Sequence, residues 1–371
     1  MGAGMTTNGH VTDLPATADR FHQWLAGTRA ESAAAVRAFV AERCREHIDG
    51  APDADVLARV LSGYVGRGKL LRSAFVRAGW SAVAADSAEV VCAAASVELL
   101  HCFALMQDDV MDGSRLRRGE PSAHVRFAQW HRQEGLAGSA DAFGEAAAVL
   151  AADLCLVWSE QMLRESGVGR DGLARGMRRF DRLRSELAVG QFRDLINDAR
   201  RDPPLAAVRD VARAKSGNYT VRRPLELGAD MAGGSPALLR ALGSYGEAVG
   251  EAFQLRDDLL GLFGDPADTG KPAGEDLRAR KATCVVVLAR EHAGRADRRE
   301  LDRMDHLDRL EPADLDRYLT IVERSGARDH AEGLIRERVA EGEMAIEHAD
   351  MPDDARRRLL RLSRLCVDRI Q

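Results

Sequence analysis

The chain has 371 residues, a net charge of −5 and only 5% aromatic residues. This charge balance, with no long basic run, argues against general nucleic-acid binding. The length suffices for one large domain or two medium ones, and abundant Ala, Leu and Arg with few prolines favours helix nearly throughout.

The cysteines and the apolar runs indicate a cytoplasmic protein. The six cysteines are scattered without paired spacing, which fits a reduced interior better than disulfides or a zinc site. No apolar run approaches the roughly 20 residues that cross a bilayer. The N-terminus has no basic-then-apolar export signal. We therefore expect a cytoplasmic protein with no membrane span.

Residues 1–18 are small, polar and unpatterned, and we expect them to be disordered, followed by one all-α domain over 19–371. No segment shows sustained period-two alternation, and no Rossmann or P-loop glycine pattern is present. Helical patterns occupy 19–48, 53–64, 86–112, 123–133, 141–166, 171–198, 236–261, 313–325, 327–349 and 353–369, and the segment 205–228 carries Lys215, Ser216 and Tyr219. The segment 298–317 is dense in Asp, Glu and Arg and is interpreted as a solvated helical face.

A flexible turn that carries the cations Arg67, Lys69 and Arg72 precedes a predicted helix near Ser73. Backbone N–H groups at a helix start, with nearby Lys and Arg, suit an anion. Basic helix starts are also common on ordinary surfaces, so this turn is weak evidence when taken alone.

The predicted central helix ends in three carboxylates, Asp108, Asp109 and Asp112. Asp108 and Asp112 stand four residues apart on one face, which leads back through Ala104 and His101. Like charges at this spacing cost roughly a few tenths of a kcal/mol without a counter-charge. We therefore expect a cation between them, and Mg²⁺, which prefers carboxylate oxygen, is the natural candidate. A solvated acidic helix end is the simpler alternative for a single cluster.

A second cluster repeats the design at Asp257 and Asp258, at the end of another predicted helix. Lys271 and Lys281 follow it, just as Arg117–Arg118 follow the first cluster. Two aspartate-rich helix ends, each followed by basic residues, indicate a site that holds several Mg²⁺ ions and phosphate groups.

The stretches Leu105–Asp112 and Phe253–Gly261 resemble the first and second aspartate-rich motifs of the trans-isoprenyl diphosphate synthases, also called polyprenyl synthetases. The pair is far more specific than either motif alone, and the resemblance extends from about Gly66 to Lys281. It implies an all-α bundle of the isoprenoid synthase type with a central cavity. It also implies a Mg²⁺-dependent condensation of isopentenyl diphosphate with an allylic diphosphate, and a homodimer.

The resemblance implies a role for individual residues. Asp108 and Asp112 would hold two Mg²⁺ ions, supported by Asp109, and Asp257 would hold a third, supported by Asp258. The expected clamp on the allylic diphosphate is Arg117, Lys215 and Lys271, with Lys281 nearby.

The expected isopentenyl diphosphate site is Lys69, Arg72, His101 and Arg118. The polar positions beside the reacting carbons are Ser216, Tyr219, Gln191 and Gln254. Of all these, the predicted catalytic residues are the five aspartates, Lys215 and Gln254.

Taken singly, Gln191, Gln254 and His101 also fit a structural role, as core amides and a buried imidazole. The ordered set of motifs favours the functional interpretation.

Three positions depart from the family pattern. The usual Gly-Gly-Lys-Arg-Leu-Arg-Pro stretch appears as Arg67–Ser73 and lacks the Arg that normally follows the Lys. The usual His before the first aspartates is Gln107. The third aspartate of the second motif is replaced by Gly261. The changed cation segment leaves a modified homoallylic substrate as an alternative to isopentenyl diphosphate.

In this family the residues four and five positions before the first aspartate help to close or open the tunnel for the growing chain. Here they are Ala104 and Phe103. A bulky Phe103 beside a small Ala104 resembles the bacterial geranylgeranyl-producing members. We therefore expect geranylgeranyl diphosphate first and farnesyl diphosphate second.

Two alternatives of another class remain open. A class I terpene cyclase shares the fold but should carry a second metal motif with Asn, Ser and Glu at set spacing, and Asn197–Asp198 is not followed by one. A non-catalytic partner subunit should lose metal carboxylates, yet Asp108, Asp112 and Asp257 all remain.

Overall fold

In the computed structural model, residues 14–51, 53–200, 203–264, 274–278, 280–307 and 309–368 are described. The α-helices are α1 (Leu14–His47), α2 (Asp55–Tyr64), α3 (Leu71–Ser81), α4 (Ala88–Met111), α5 (Ala123–Gln133), α6 (Ala140–Arg164), α7 (Arg170–Ala199), α8 (Leu205–Ala212), α9 (Arg223–Met231), α10 (Pro236–Phe263), α11 (Glu275–Arg278), α12 (Cys284–His292), α13 (Arg295–Asp305), α14 (Pro312–Arg324), α15 (Ala327–Ala345) and α16 (Asp353–Val367). The all-α prediction is confirmed. Two short antiparallel strands, β1 (Leu116–Arg117) and β2 (Glu120–Pro121), follow α4.

One helix boundary near the start of the chain differs from the sequence prediction, and one agrees with it. Helix α1 begins at Leu14, so it includes part of the segment that was expected to be disordered, while residues 1–13 lie outside the described residues. Helix α4 begins after Ser87, which has the extended backbone of an N-cap residue, close to the predicted start at residue 86.

The segment from 205 to 231 contains an element that the sequence did not predict. The chain there forms α8, then a π-helix over Arg213–Arg222, then α9. A π-helix is rare and occurs frequently at functional sites, because its wider turn shifts the side chains that follow it.

Three clusters of buried apolar side chains form the core. One lies in the N-terminal half between α1, α2, α4, α5 and α6, and another surrounds α10 with α3 and the C-terminal helices. The third joins them through α3, α4, α7 and α9. The two aspartate helices, α4 and α10, therefore belong to different parts of the core and are held in one body by the third cluster.

Among the described helices, α4 is long and apolar enough to cross a bilayer by length and composition, contrary to the expectation that no run approaches that length. Of its most apolar 18-residue stretch, 61% is buried inside the fold. Packing against α3 and α6 explains this apolarity, because a central helix that is covered on several sides must be apolar on several sides.

Candidate active site

One cavity of about 820 Å³ collects most of the predicted site residues. Fifteen of them line it: Lys69, Arg72, His101, Ala104, Asp108, Arg117, Arg118, Gln191, Lys215, Ser216, Tyr219, Gln254, Asp257, Asp258 and Lys281. Asp109, Asp112 and Phe103 are not part of this lining, and Lys271 lies outside the described residues. Side chains that are up to 212 positions apart in sequence are thus brought to one surface.

Glycines allow the π-helix to carry Lys215 into the cavity. A Cβ on Gly190 of α7 would lie 3.0 Å from the Lys215 backbone. Gly217 and Gly250 face each other, and a Cβ on either would come within 2.8 Å of the other's backbone. The π-helix therefore packs closely between α7 and α10 because no side chains separate the backbones at these points.

Lys215 joins two carboxylates across the cavity. Its Nζ lies 3.2 Å from Asp108 Oδ1 and 2.5 Å from Asp194 Oδ2. Burial alone would lower the pKa of Lys215, but the two carboxylates outweigh it and raise that pKa. Burial alone would raise the pKa of Asp108, but Lys215, Lys281 and Arg117 outweigh it and hold that pKa below its ordinary value. Lys215 is therefore an ammonium ion and Asp108 a carboxylate.

Lys281 supplies the second ammonium group at the end of α4. Its Nζ donates to Asp112 Oδ2. Burial opposes the charged form, but the charges of Asp108 and Asp112 outweigh it and raise the pKa of Lys281. The counter-charge expected between Asp108 and Asp112 is therefore supplied here by lysines from two later segments of the chain.

The backbone just after Lys281 donates hydrogen bonds to aspartates of both α7 and α10. The N–H of Ala282 donates to Asp198 Oδ1 at 3.2 Å, and the N–H of Cys284 donates to Asp258 Oδ2 at 3.0 Å. Asp258 also accepts from Gln254 Nε2 at 2.7 Å. Burial raises the pKa of Asp258 to about 8, these hydrogen bonds oppose the rise, and the nearby charges of Asp276 and Asp257 add to it.

Asp109 points away from the cavity and organises the turn after α4. Its fully buried carboxylate accepts from Arg117 Nε at 2.9 Å and from the Tyr64 hydroxyl at 3.2 Å. The Tyr64 oxygen in turn accepts from the N–H of Ala123 at 2.7 Å. Burial raises the pKa of Asp109, although Arg117 opposes the rise. The supporting role expected for Asp109 is consistent with this network, and Tyr64 is a site residue that the sequence did not reveal.

A second group of cations surrounds His101 in the same cavity. The Arg72 guanidinium lies 4.5 Å from the centre of the Tyr219 ring, and its Nη2 lies 3.0 Å from Thr220 Oγ1. Burial, followed by the charges of Arg72, Arg118 and Arg117, lowers the pKa of His101 well below its usual value. His101 is therefore a neutral imidazole among cations, and its Nδ1 is buried without a hydrogen-bond partner among the described residues.

Glu98 is a second residue that the sequence prediction missed. Its carboxylate is buried, lines the cavity and accepts from the N–H of Ser73 at 2.8 Å. This N–H exists because Ser73 replaces the proline of the family stretch, and proline has no backbone donor. The Ser73 hydroxyl donates to the carbonyl of Leu70, which has a left-handed backbone with φ of 46°. The changed cation segment therefore makes one hydrogen bond to α4 and one within itself.

The amide of Gln191 lies beside the first aspartates. Its Nε2 lies 3.4 Å from Asp108 Oδ1 and 3.5 Å from Met111 Sδ. Ala104 lines the cavity, whereas Phe103 packs half-buried between two of the core clusters. A role of Phe103 in chain length therefore remains a prediction that acts through packing behind the lining.

The donors on this cavity fit Mg²⁺. Asp108 and Asp257 line the cavity, and Asp112 is reached through Lys281, so the available donors are hard carboxylate oxygens. Within the described part of the chain, no three His, Cys, Asp or Glu side chains converge on a single point. Mg²⁺ characteristically binds through one or two carboxylates together with substrate phosphates, so converging protein ligands are not required.

The chain is similar to known proteins over most of its length. Residues 54–322 match the family model described as polyprenyl synthetase. The (2E,6E)-farnesyl diphosphate synthase of Mycobacterium tuberculosis H37Rv is 32% identical over 305 residues, covering 81% of this chain and 80% of that protein. The geranylfarnesyl diphosphate synthase of Aeropyrum pernix is 32% identical, covering 72% of this chain and 79% of that protein.

A solved structure gives the same result for the fold. The geranylgeranyl pyrophosphate synthase of Corynebacterium glutamicum, crystallised with isoprenyl diphosphate and magnesium, superposes with a TM-score of 0.87. It is 34% identical in sequence, and the match covers 93% of this chain and 99% of that one. The chain therefore belongs to the polyprenyl synthetase family and is a trans-prenyltransferase, a short-chain isoprenyl diphosphate synthase.

Proposed function

We propose that this enzyme condenses isopentenyl diphosphate with an allylic diphosphate in the presence of Mg²⁺, and that its main product is geranylgeranyl diphosphate. The observation that carries the proposal is the division of one cavity into two charged parts. Aspartates with Lys215 and Lys281 form one part, and Arg72 and Arg118 around a neutral His101 form the other. Two diphosphates can thus be held separately in the same cavity.

The aspartate part suits the allylic substrate. Asp108 and Asp112 would hold two Mg²⁺ ions and Asp257 a third, next to Lys215, Lys281 and Arg117, with Asp109 and Asp258 in support. When bound, Mg²⁺ acts as a Lewis acid on the diphosphate oxygens and so favours departure of the leaving group. The lysines and Arg117 add donors that remain fixed by their carboxylate partners while charge develops on the leaving diphosphate.

The Arg72 part suits isopentenyl diphosphate. Lys69, Arg72 and Arg118 supply cations, and the neutral imidazole of His101 can donate a hydrogen bond without adding charge. Apolar side chains such as Leu105, Leu187 and Phe253 share the lining. They would keep water from the allylic cation until the isopentenyl double bond attacks it.

The reaction ends with a proton transfer. Loss of a proton from the condensed chain restores a double bond, and the departing diphosphate beside Lys215 can accept it. Ser216, Tyr219, Gln191 and Gln254 supply polar groups beside the reacting carbons. The amides of Gln191 and Gln254 are oriented by Asp108 and Asp258 respectively.

The experiment for product length is an incubation with Mg²⁺, isopentenyl diphosphate and each allylic diphosphate in turn, with the chains sized after dephosphorylation. We expect mainly geranylgeranyl chains. Chains that stop at farnesyl would support the second candidate instead. Failure to extend any primer with isopentenyl diphosphate, while the primers still bind with Mg²⁺, would favour a modified homoallylic substrate, with the segment Arg67–Ser73 as the cause.

We further propose a homodimer formed through α6 and α7. Leu150 and Val157 on α6 are 64% and 62% exposed, and Val189 and Phe192 on α7 are 59% and 64% exposed. The two helices contact each other, so these side chains contribute to one apolar face. A particle mass of about 81 kDa by sedimentation would support the dimer, since one chain has a mass of 40.4 kDa. A Leu150→Asp/Val157→Asp variant should sediment as a monomer.

A cytoplasmic location is proposed on the state of the cysteines. All six lie in the described part of the chain as thiols rather than disulfides, and five of them are buried. Free thiols persist in a reducing compartment.

A further inference from the structure

The two aspartate helices of this chain differ at one position. In α4 a third carboxylate, Asp112, follows Asp108 by four residues. In α10 the position four residues after Asp257 is Gly261, which has no side chain at all. The second cluster is therefore one carboxylate short within its own helix.

The side-chain space of Gly261 is filled by Asp276. A Cβ built on Gly261 would overlap Oδ2 of Asp276 and lie 3.1 Å from its Cγ. Asp276 belongs to α11, a different element, and it lines the same cavity as Asp257 and Asp258. A carboxylate thus stands where the side chain at 261 would begin, but it comes from a residue 15 positions later in the chain.

Backbone hydrogen bonds fix Asp276 in this place. The N–H of Gly274 donates to the carbonyl of Gly261 at 3.2 Å, which attaches the start of α11 to the end of α10. The N–H of Lys281 donates to the carbonyl of Asp276 at 2.8 Å. The same short segment therefore carries the Asp276 carboxylate to Asp257 and the Lys281 ammonium to Asp112.

We propose that Asp276 supplies the third carboxylate of the second aspartate site, and that residue 261 is glycine because this carboxylate occupies its side-chain space. Asp276 is a positioning residue for the Mg²⁺ ion and diphosphate held at Asp257. The inference rests on the proposed Mg²⁺-dependent function and deepens it. It also predicts that an aspartate at 261, although it matches Asp112 in α4, is harmful in this chain.

The first experiment measures Mg²⁺ binding without turnover. Mg²⁺ is titrated in the presence of inorganic diphosphate, and the rise in the midpoint of thermal unfolding reports the half-saturating Mg²⁺ concentration. For Asp276→Asn, which keeps the shape, and for Gly261→Ala, which displaces the carboxylate, we expect this concentration to rise about tenfold. The control Gly333→Ala adds a methyl to a helical glycine with only Arg336 nearby, at 4.0 Å, and should leave it unchanged.

The second experiment exchanges the two positions. Gly261→Asp alone places two carboxylates in one space and should bind Mg²⁺ more weakly than the wild type. The double variant Gly261→Asp/Asp276→Gly provides one carboxylate from position 261 and should recover most of the affinity. Wild-type Mg²⁺ binding in Asp276→Asn, or in Gly261→Asp alone, would overturn the proposal. A wild type that shows this Mg²⁺ dependence but makes no prenyl chain would overturn the proposed activity alone.

Discussion

Lys281 donates a hydrogen bond to the carboxylate of Asp112, which lies 169 residues earlier in the chain. Lys215 makes the equivalent contact with Asp108. The chain has only four lysines, at 69, 215, 271 and 281, among its 53 Lys and Arg residues. Each of the four was assigned to a diphosphate, so the few ammonium groups of the chain are concentrated at this site, beside Arg72, Arg117 and Arg118. A compact point charge differs from a planar guanidinium in what it can bind.

The small number of lysines permits a chemical test of their environment. Lys69 is exposed, whereas Lys215 and Lys281 are half-buried with pKa values raised by their carboxylate partners. Because only the neutral amine acylates, limited treatment with an amine-reactive ester near pH 8 should modify Lys69 before Lys215 and Lys281. Peptide mass spectrometry gives the order. Equal rates at Lys69, Lys215 and Lys281 would contradict the ion pairs.

Tyr64→Phe tests the network behind the first aspartates. The phenol connects Asp109 to the N–H of Ala123, and both groups are buried. Removing the phenol leaves the N–H of Ala123 without a hydrogen-bond acceptor and the carboxylate of Asp109 with one donor fewer. The free energy of unfolding in urea should therefore fall by about 1–3 kcal/mol. An unchanged value would show that Asp109 is held by Arg117 alone.

The neutral state of His101 predicts an acid-dependent loss of stability. Its pKa in the folded protein lies well below the unfolded value, so the unfolded chain binds a proton near pH 6.5 and the folded chain does not. Stability is therefore fully present above about pH 6.5 and falls as the pH decreases, by at most about 1.4 kcal/mol per pH unit.

His101→Gln keeps a neutral polar group and removes this titration. As the pH is lowered from 6.5 to 5, the free energy of unfolding of the wild type should therefore fall more than that of the variant. A difference that is independent of pH would contradict the lowered pKa, because it would show that His101 takes up its proton equally in the folded and the unfolded chain.

Chain length is tested at two adjacent positions with opposite expected results. Phe103→Ala removes volume behind the lining and should lengthen the products, while Ala104→Phe adds volume on the cavity wall and should shorten them. The loss of packing in Phe103→Ala costs up to about 3–5 kcal/mol, so its folding is checked by thermal unfolding. Unchanged products in Phe103→Ala would refute its role, though not the enzyme class.

The parts of the site that depend on residues close together in the sequence could be predicted, and those that depend on distant residues could not. The aspartate ends of α4 and α10 carry their residues at helical spacing, so both helices and their faces could be predicted from periodicity. The π-helix could not, because it depends on the close approach of Gly217 and Gly250, which are distant in sequence.

The missed residues have the same physical explanation. Tyr64 acts on Asp109 across 45 residues, and Asp276 occupies the space of Gly261 from another element. Such contacts are set by tertiary packing, and no spacing rule reveals them. The restriction of lysine to four positions is a signal in the sequence itself, and it supports the assignment of Lys215 and Lys281 to the diphosphate.

The most direct test of the central claim is a condensation assay with Mg²⁺, isopentenyl diphosphate and farnesyl diphosphate, comparing wild type, Asp108→Asn and Asp329→Asn. Asp329 is exposed on α15 and serves as the control for the same change in charge. The account predicts prenyl diphosphates from the wild type and the control, their loss on removal of Mg²⁺, and at least about a hundredfold lower rate in Asp108→Asn. Undiminished condensation in Asp108→Asn, or a hydrocarbon formed from farnesyl diphosphate alone, would contradict it.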